Sequence, residues 1–78
     1  MNKNLEYYMS IKYPMSLTPL SEEDGGGWLI TIPLLPGCQT DGETPSEALE
    51  RIEEAKELWL RGAIKYHDPI PEPEPVLT

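Results

Sequence analysis

The chain has few of the side chains that build chemical centres and covalent cross-links. Its 78 residues contain one cysteine, Cys38, and one histidine, His67. A lone cysteine forms no internal disulfide, and these two residues are too few for the usual zinc site. The low cysteine content favours a reducing, cytoplasmic setting. Cys38 follows a glycine before a short polar segment, which favours a small packing residue over a nucleophile.

Basic residues and long apolar runs are also scarce. Six Lys and Arg residues face fourteen Asp and Glu residues, which gives a formal charge of -8. A surface of that sign repels a phosphate backbone, so we expect no direct nucleic-acid binding. No run has the length of a membrane span or of a signal-peptide core, so we expect no membrane association. The acidity serves either solubility or attraction to a basic partner, and both alternatives stay open.

The length of the chain allows one domain only. We assign residues 1–70 to a single domain and residues 71–78 to a tail rich in proline and glutamate. A core this small, without any phenylalanine, buries just enough apolar surface to offset the chain entropy that folding removes. We therefore expect help from a partner or from further copies of the chain, as a dimer or a tetramer.

The first half of the sequence is typical of β-structure that follows a short helix. Leu5, Tyr8 and Met9 recur at helical spacing and predict a short N-terminal helix, with a frayed terminus as the alternative. Residues 13–20 alternate between apolar and polar side chains and predict a first strand, which its prolines restrict to a sheet edge or to irregular pairing. Residues 28–32 alternate in the same way and predict a second strand, and residues 38–41 add a brief third.

A charged turn and three glycines separate the first two predicted strands. Glu22, Glu23 and Asp24 precede glycines 25–27, and glycines that tolerate positive φ predict a hairpin turn. A phosphate-binding loop would need a Lys-Ser/Thr pair and a following helix, whereas a strand follows here. The acids offer oxygen ligands to a divalent ion, but the turn explains the glycines better. We therefore predict no metal site.

The start of a long helix is the most strongly specified boundary in the sequence. Thr44 suits the N-cap, Pro45 suits the first helical position, and Glu47 completes a capping box. An apolar stripe then indicates packing on one face of the sheet. The stripe comprises Ala48, Ile52, Ala55, Trp59, Ala63 and Tyr66, and Leu49, Leu58 and Leu60 widen it.

Apolar residues near the end of this helix exceed what one sheet face can cover. Leu58 and Leu60 flank Trp59, and the three side chains cannot all point at the same sheet. We therefore predict an oligomer interface at Leu58, Trp59 and Leu60. A wider buried face of the helix is the alternative.

Alternating prolines after residue 68 favour an extended polyproline II tail and exclude a helix there. The tail is predicted to be a linker or a docking arm, and residues 76–78 have room for a short fourth strand. The predicted fold class is therefore α+β. A three-stranded antiparallel sheet carries one long helix on one face, in ββ-β-α(-β) order, after a short N-terminal helix.

The residues suggest no catalytic centre. Neither a Ser/His/Asp set nor a Cys/His set is indicated by order or context, and the acids cluster in the turn and on the helix surface. We predict no catalytic residue, no cofactor and no enzymatic activity. A small hydrolase with vestigial carboxylates is the weakest alternative, because it would need acids that converge on a metal ion.

Five segments in the same order closely resemble the HicB-type antitoxin domain. Residues 5–9 also resemble the leader of one branch of that family. The five segments are Glu22-Glu23-Asp24-Gly25-Gly26, Trp28 to Ile32, Leu35-Pro36-Gly37-Cys38, Gly42-Glu43-Thr44-Pro45-Ser46-Glu47-Ala48-Leu49 and Pro69-Ile70-Pro71-Glu72-Pro73.

The resemblance implies both a fold and a role. The fold is similar to a trimmed RNase H-like unit that has lost its catalytic acids, often with a final strand. The role is binding: HicB-type proteins neutralise a small basic HicA-type toxin, a ribonuclease that cleaves mRNA, by covering its active surface. The resemblance thus implies the antitoxin of a type II toxin-antitoxin pair, and the acidic composition fits that role.

We place the partner-binding surface at Glu22, Glu23 and Asp24, with Trp28 beside them. Carboxylates there would oppose the RNA-binding cations of the toxin, while a small apolar centre would slow dissociation. An exposed turn next to a core tryptophan is the alternative.

Many members of the family continue from the Pro-Ile-Pro-Glu-Pro stretch into a DNA-binding segment, whereas this sequence ends at Thr78. We therefore do not expect this chain alone to repress its own operon. The same ending raises a second hypothesis, a stand-alone HicB-like homo-oligomer that acts as an interaction or regulatory module without a toxin.

Overall fold

The computed structural model describes residues 3–74, which form two helices and a three-stranded sheet. In chain order the elements are α1 (Leu5–Ser10), β1 (Ser16–Pro19), a 3₁₀ turn (Glu22–Asp24), β2 (Trp28–Thr31), β3 (Gln39–Gly42) and α2 (Pro45–Lys65). These elements confirm the α+β class, with its antiparallel sheet, long helix and short N-terminal helix. The predicted fourth strand at residues 76–78 lies outside the described residues, and the domain boundary at residue 70 stays a prediction.

Strand β2 is central in the sheet, with β1 and β3 antiparallel on either side. Ile30 lies opposite Leu17 of β1. The Leu20 N–H donates to the Gly27 carbonyl at 2.8 Å. Because hydrogen-bonded positions alternate along an antiparallel pair, the backbone nitrogen of the preceding residue, Pro19, faces away from β2. A proline there removes no hydrogen bond of the ladder, which explains why a strand that contains it occupies the sheet edge.

The predicted capping residues begin α2. The Thr44 Oγ1 accepts a hydrogen bond from the Glu47 N–H at 3.1 Å, and Pro45 occupies the first turn. The Glu47 carboxylate accepts a hydrogen bond from the Glu43 N–H at 3.2 Å, one residue before the cap. These bonds satisfy donors that have no partner inside the helix, so the boundary is defined by the local sequence.

The buried face of α2 differs from the predicted stripe at Lys56 and Tyr66, and two of the leucines predicted to widen the stripe, Leu49 and Leu58, are exposed. Lys56 is 2% exposed, whereas Tyr66 is 68% exposed. Tyr66 caps the C-terminus after the helix has ended, so the prediction that it packs on the sheet is wrong. The buried residues of α2 are Ala48, Ile52, Lys56, Leu60 and Ala63.

Lys56 of α2 forms hydrogen bonds to the C-terminal end of α1. Its Nζ donates to the main-chain carbonyls of Met9 at 3.2 Å and Ile11 at 2.8 Å. Carbonyls at a helix C-terminus lack partners inside the helix and attract cations. The ring of Tyr13 has its centre 5.4 Å from the same nitrogen, which adds a cation–π contact. These contacts explain how the core accommodates a lysine.

The core lies between the sheet and α2. Its fully buried side chains come from β2, from the corner after β2 and from α2. Residues of α1, and Ile70 just before the tail, are partly buried against the same cluster. The largest fully buried side chains are Ile30, Ile32, Leu35, Ile52 and Leu60.

A Schellman motif ends α2. His67 adopts a left-handed conformation with a φ of 57°, and its N–H donates to the Ile64 carbonyl at 3.3 Å. The Asp68 N–H donates to the Ala63 carbonyl at 2.9 Å. Glycine is the usual residue at this position of the motif, so a histidine there carries backbone strain.

The tail folds back onto the domain at residues 71 and 72. The Tyr13 Oη donates to the Pro71 carbonyl at 2.7 Å. The Glu72 carboxylate accepts hydrogen bonds from the Lys3 Nζ at 2.8 Å and from the Tyr7 Oη at 2.6 Å. This part of the tail is therefore docked on its own chain, and we call the contacts of Glu72 with Lys3 and Tyr7 the tail clasp.

Candidate functional site

The acids predicted to bind a partner lie in the exposed 3₁₀ turn between β1 and β2. The Ser21 Oγ accepts a hydrogen bond from the Asp24 N–H at 3.3 Å and donates to the Asp24 carboxylate at 2.9 Å. Gly25 ends the turn with a φ of 96°. Local hydrogen bonds thus shape a surface turn that presents Glu22, Glu23 and Asp24 to solvent.

A second group of acids lies next to this turn. A polar cleft of about 440 Å³ separates glycines 25–27 from the corner that joins β3 to α2. Asp41, Glu43 and Glu47 line the corner side of the cleft together with Arg51. Arg51 donates to the Asp41 carbonyl at 3.2 Å and pairs with the Glu47 carboxylate at 3.2 Å. The cation in the cleft is therefore already engaged by neighbouring groups.

Gly27 allows the turn to approach this corner. A Cβ at Gly27 would lie 2.6 Å from the Gly42 carbonyl oxygen, which is closer than any real side chain tolerates. Gly27 also has a φ of 85°, a value that L-residues rarely adopt. We call residues Glu22–Asp24 together with Asp41 and Glu43 the acidic end of the domain.

The sequence pattern does not identify Asp41 and Glu43 as members of this surface. Asp41 falls at the end of the predicted third strand, and Glu43 precedes the helix cap. The sequence contains no local signal that glycines 25–27 pack against this corner. That contact depends on the antiparallel pairing of β2 with β3, in which Trp28 lies opposite Gly42.

Trp28 is partly buried beside the acidic end. Its side chain packs against the core cluster, and its backbone pairs with β1 and β3. Only the exposed remainder of the indole is accessible to a partner. This packing agrees with the alternative interpretation of Trp28 as a core tryptophan. A role of Trp28 in partner binding stays a prediction.

An apolar groove of about 560 Å³ runs along the C-terminal half of α2. The Trp59 Nε1 donates to the Pro36 carbonyl at 2.8 Å and holds the indole in place as part of its lining. Leu58 and Tyr66 add large apolar surfaces that are 71% and 68% exposed. We call the surface formed by Pro36, Leu58, Trp59, Gly62, Tyr66 and Pro69 the apolar groove.

The three residues predicted to form an oligomer interface do not lie together. Leu58 and Trp59 line the apolar groove, whereas Leu60 is 0% exposed and belongs to the core. Successive helical residues point about 100° apart, so residue 60 faces the sheet when residue 58 faces solvent. Leu60 therefore cannot contact a partner. The spacing of Leu58, Gly62 and Tyr66 was the signal in the sequence for this exposed face.

Cys38 is a core residue. It is buried, and burial raises the pKa of its thiol, an effect that the nearby Lys56 partly opposes. A buried cysteine with a raised pKa keeps its proton at neutral pH and is a poor nucleophile. The structure therefore agrees with the interpretation of Cys38 as a packing residue.

No three His, Cys, Asp or Glu side chains within residues 3–74 are arranged to hold a metal ion. No helix in the same range is both long enough and apolar enough to cross a lipid bilayer.

The fold and the site together define a small α+β domain with an acidic end and an exposed apolar groove. The comparison with known families is more specific. The family described as "HicB_like antitoxin of bacterial toxin-antitoxin system" matches residues 13–78, so the chain belongs to the HicB-like antitoxin family. The resemblance noted in the sequence is thereby confirmed.

Individual relatives support the same family. A UPF0150 protein of Synechocystis sp. is 40% identical over 53 residues, which cover 68% of this chain and 67% of that protein. A UPF0150 protein of Thermoplasma acidophilum is 34% identical over 61 residues, with coverage of 78% and 84%. Antitoxin HicB 1 of Photorhabdus laumondii is 33% identical over 67 residues, which cover 86% of this chain and 41% of that protein. No solved structure matches the chain.

Proposed function

We propose that the chain is the antitoxin of a type II toxin-antitoxin pair, and that it binds and neutralises a small basic HicA-type toxin that cleaves mRNA. The observation that carries this proposal is the family match over residues 13–78. Similarity to antitoxin HicB 1 across 86% of the chain supports it. Family membership indicates a regulatory and non-enzymatic role, which we place in the cytoplasm, where the toxin would meet mRNA.

The charge of the chain supports a basic partner. Fourteen acidic residues outnumber six basic ones, and the acidic end concentrates carboxylates on one part of the surface. Opposite charges across an interface speed the encounter and select the partner. A toxin that binds RNA presents cations to phosphate groups, and the acidic end would offer carboxylates to the same cations. We therefore propose the acidic end as the surface that covers the RNA-binding site of the toxin.

The geometry of the acidic end supports a preformed surface. Hydrogen bonds to Ser21 hold the 3₁₀ turn, and the close approach of Gly27 to Gly42 holds that turn beside the corner before α2. A surface that is ordered before binding loses less conformational entropy on association. The exposed part of Trp28 would add apolar contact next to the carboxylates.

Co-expression with the HicA-type toxin tests the proposal. A short basic reading frame would be sought beside the gene and expressed with the tagged full chain, and the affinity of the purified pair would be measured at several salt concentrations. Alanine at Glu22, Glu23 and Asp24 should weaken binding by about tenfold or more at low salt and flatten its salt dependence.

A matched variant separates the acidic end from the overall charge. Glu50, Glu53 and Glu74 are exposed and lie outside the acidic end, and their substitution by alanine changes the net charge equally. This control should retain most of the affinity. Equal losses in both triple variants would contradict the surface assignment, whereas a toxin that does not bind the unchanged chain would contradict the antitoxin function.

The apolar groove favours a second candidate function, a stand-alone HicB-like homo-oligomer that acts as an interaction or regulatory module without a toxin. Large exposed apolar side chains grouped on a small domain mark interaction sites. A stable homo-oligomer, together with a gene neighbourhood that lacks a HicA-type reading frame, would favour this candidate over the antitoxin.

A further inference from the structure

We infer that a second copy of this chain docks in the apolar groove. The α2 helices would pair antiparallel about a two-fold axis, with Leu58 of each copy packed over Gly62 of the other. This arrangement deepens the proposed self-assembly, on which it rests, and is independent of toxin binding.

Gly62 is the first observation in its favour. Glycine destabilises a helix interior more than any residue except proline, and Gly62 lies inside α2. A Cβ at this position would meet no atom within 4 Å, so packing within residues 3–74 does not require a glycine. Leu58 and Tyr66, one turn away on either side, are largely exposed. A close approach by another chain explains the missing side chain.

The exposed face of α2 carries a projecting side chain, Leu58, and a position without a side chain, Gly62. Leu58 projects from α2, and Gly62 leaves a gap four residues further along the same face. In a two-fold contact, when residue i of one copy meets residue j of the other, j also meets i. An antiparallel pairing centred near residue 60 therefore places Leu58 against Gly62 twice. The face is therefore complementary in shape to a second copy of itself. A different partner would need its own side chain and its own gap at the matching positions.

Charges beside the groove favour the same arrangement. Glu54, Leu58 and Lys65 lie along one side of α2 at spacings typical of a single helix stripe. Glu54 precedes Gly62 along the helix and Lys65 follows it. Antiparallel pairing therefore brings Glu54 of one copy beside Lys65 of the other. Among residues 3–74, neither side chain forms an ion pair. This local attraction opposes the general repulsion between two chains of charge -8.

The lining of the groove is already ordered by contacts within the chain. Trp59 is held by its hydrogen bond to the Pro36 carbonyl. The Schellman motif at His67 directs the chain into Pro69 on the opposite margin. Because these groups need no rearrangement, docking of a second copy would lose little conformational entropy in the groove.

A basic toxin is the competing occupant, and charge argues against it at this surface. The lining is apolar apart from Asp68, whereas the acidic end groups several carboxylates near the start of α2. A cationic partner would therefore be drawn to the acidic end, which leaves the groove accessible to a second copy.

Sedimentation of the full chain over a range of concentrations tests the inference, and we expect a reversible dimer of the 8.8 kDa chain. Leu58→Ala should raise the dimer Kd by about tenfold or more, because each copy contributes one leucine to the contact. Leu49→Ala is the matched control. Leu49 is 49% exposed on the same helix but outside the groove, so this variant should leave the Kd unchanged.

Charge reversal distinguishes a second copy from any other occupant. Glu54→Lys and Lys65→Glu should each raise the dimer Kd by about threefold, and the double variant should restore it, because the two residues meet across the two-fold axis. Glu53→Lys makes the same charge change on another side of α2 and should not weaken the dimer. A chain that stays monomeric at millimolar concentration overturns both self-assembly and the inference. A dimer that is insensitive to Leu58→Ala, or a double variant without restoration, overturns the docking mode alone.

Discussion

The Lys56 ammonium lies 2.8 Å from the main-chain carbonyl of Ile11 and is buried beneath α1. The short helix is therefore held by a side chain of the long one. Its own N-cap, in which Asn4 Oδ1 accepts a hydrogen bond from the Tyr7 N–H at 3.0 Å, supports only the opposite end. A helix of six residues is too short to be stable alone, so we expect this tertiary contact to decide whether it forms.

Lys56→Met should destabilise the chain by about 2 kcal/mol. The methionine fills most of the space of the lysine stem but leaves the carbonyls of Met9 and Ile11 without their donor. Urea unfolding monitored by circular dichroism would measure the loss of free energy. Lys12→Met is the control, because Lys12 is exposed, and equal stability of the two variants would contradict the role given to Lys56.

The tail clasp should open in acid. Hydrogen bonds from Lys3 and then from Tyr7 hold the pKa of the Glu72 carboxyl below its ordinary value of 4.5. A carboxyl with a lowered pKa stabilises the folded chain above the ordinary value, and this contribution disappears as the pH falls through the lowered pKa. The Tyr7 and Glu72 NMR signals should therefore shift together below pH 4.5.

Glu72→Gln is the control for that titration. The amide keeps an acceptor for Tyr7 but carries no titrating proton, so the acidic transition in the Tyr7 signal should vanish. If the Tyr7 signal of this variant still shifted in acid with the same midpoint, another group would cause the shift. That result would contradict the tail clasp.

Gly27→Ala should be more destabilising than Gly25→Ala. Both glycines have positive φ, so either substitution strains the backbone by about 1 kcal/mol. Only at Gly27 would the new Cβ also collide with the Gly42 carbonyl, whereas the corresponding position at Gly25 is open. We expect a total loss of about 2 kcal/mol or more at Gly27, measured by thermal or urea unfolding. Equal losses would argue against the close approach of the turn to the β3–α2 corner.

His67→Gly should stabilise the chain by about 0.5 to 1 kcal/mol. Glycine adopts the left-handed conformation of residue 67 without the strain that a Cβ imposes. His67→Ala keeps the Cβ and should bring no such gain. Unfolding free energies of the two variants, compared with the original chain, check this prediction, and a gain in the alanine variant would indicate that the imidazole itself is unfavourable.

Elements that depend on local chemistry were predictable from the sequence. Thr44, Pro45 and Glu47 specify the start of α2 through bonds within one turn, and the structure contains these bonds. Alternation over residues 28–32 likewise predicted β2, because one face of that strand is buried. These signals span a few residues and need no knowledge of the rest of the chain.

Features that depend on contacts between distant residues were not predictable. Lys56 falls on the apolar face of α2, and a sequence pattern assigns a lysine to solvent unless the carbonyls that it meets are known. Glu72 finds its partners more than sixty positions earlier in the chain. The acidic end and the apolar groove each combine segments that only the folded sheet and the returning tail bring together.

The most direct test of the antitoxin function is the cleavage of RNA by a HicA-type toxin, which would be sought as a short basic reading frame beside the gene. The purified toxin would be incubated with a fluorescently labelled mRNA fragment and increasing amounts of this chain. We predict that cleavage stops near one equivalent of the chain for each toxin molecule, and that the alanine variant of Glu22, Glu23 and Asp24 requires a clear excess. Cleavage that continues unchanged at saturating amounts of the folded chain would contradict the proposed function.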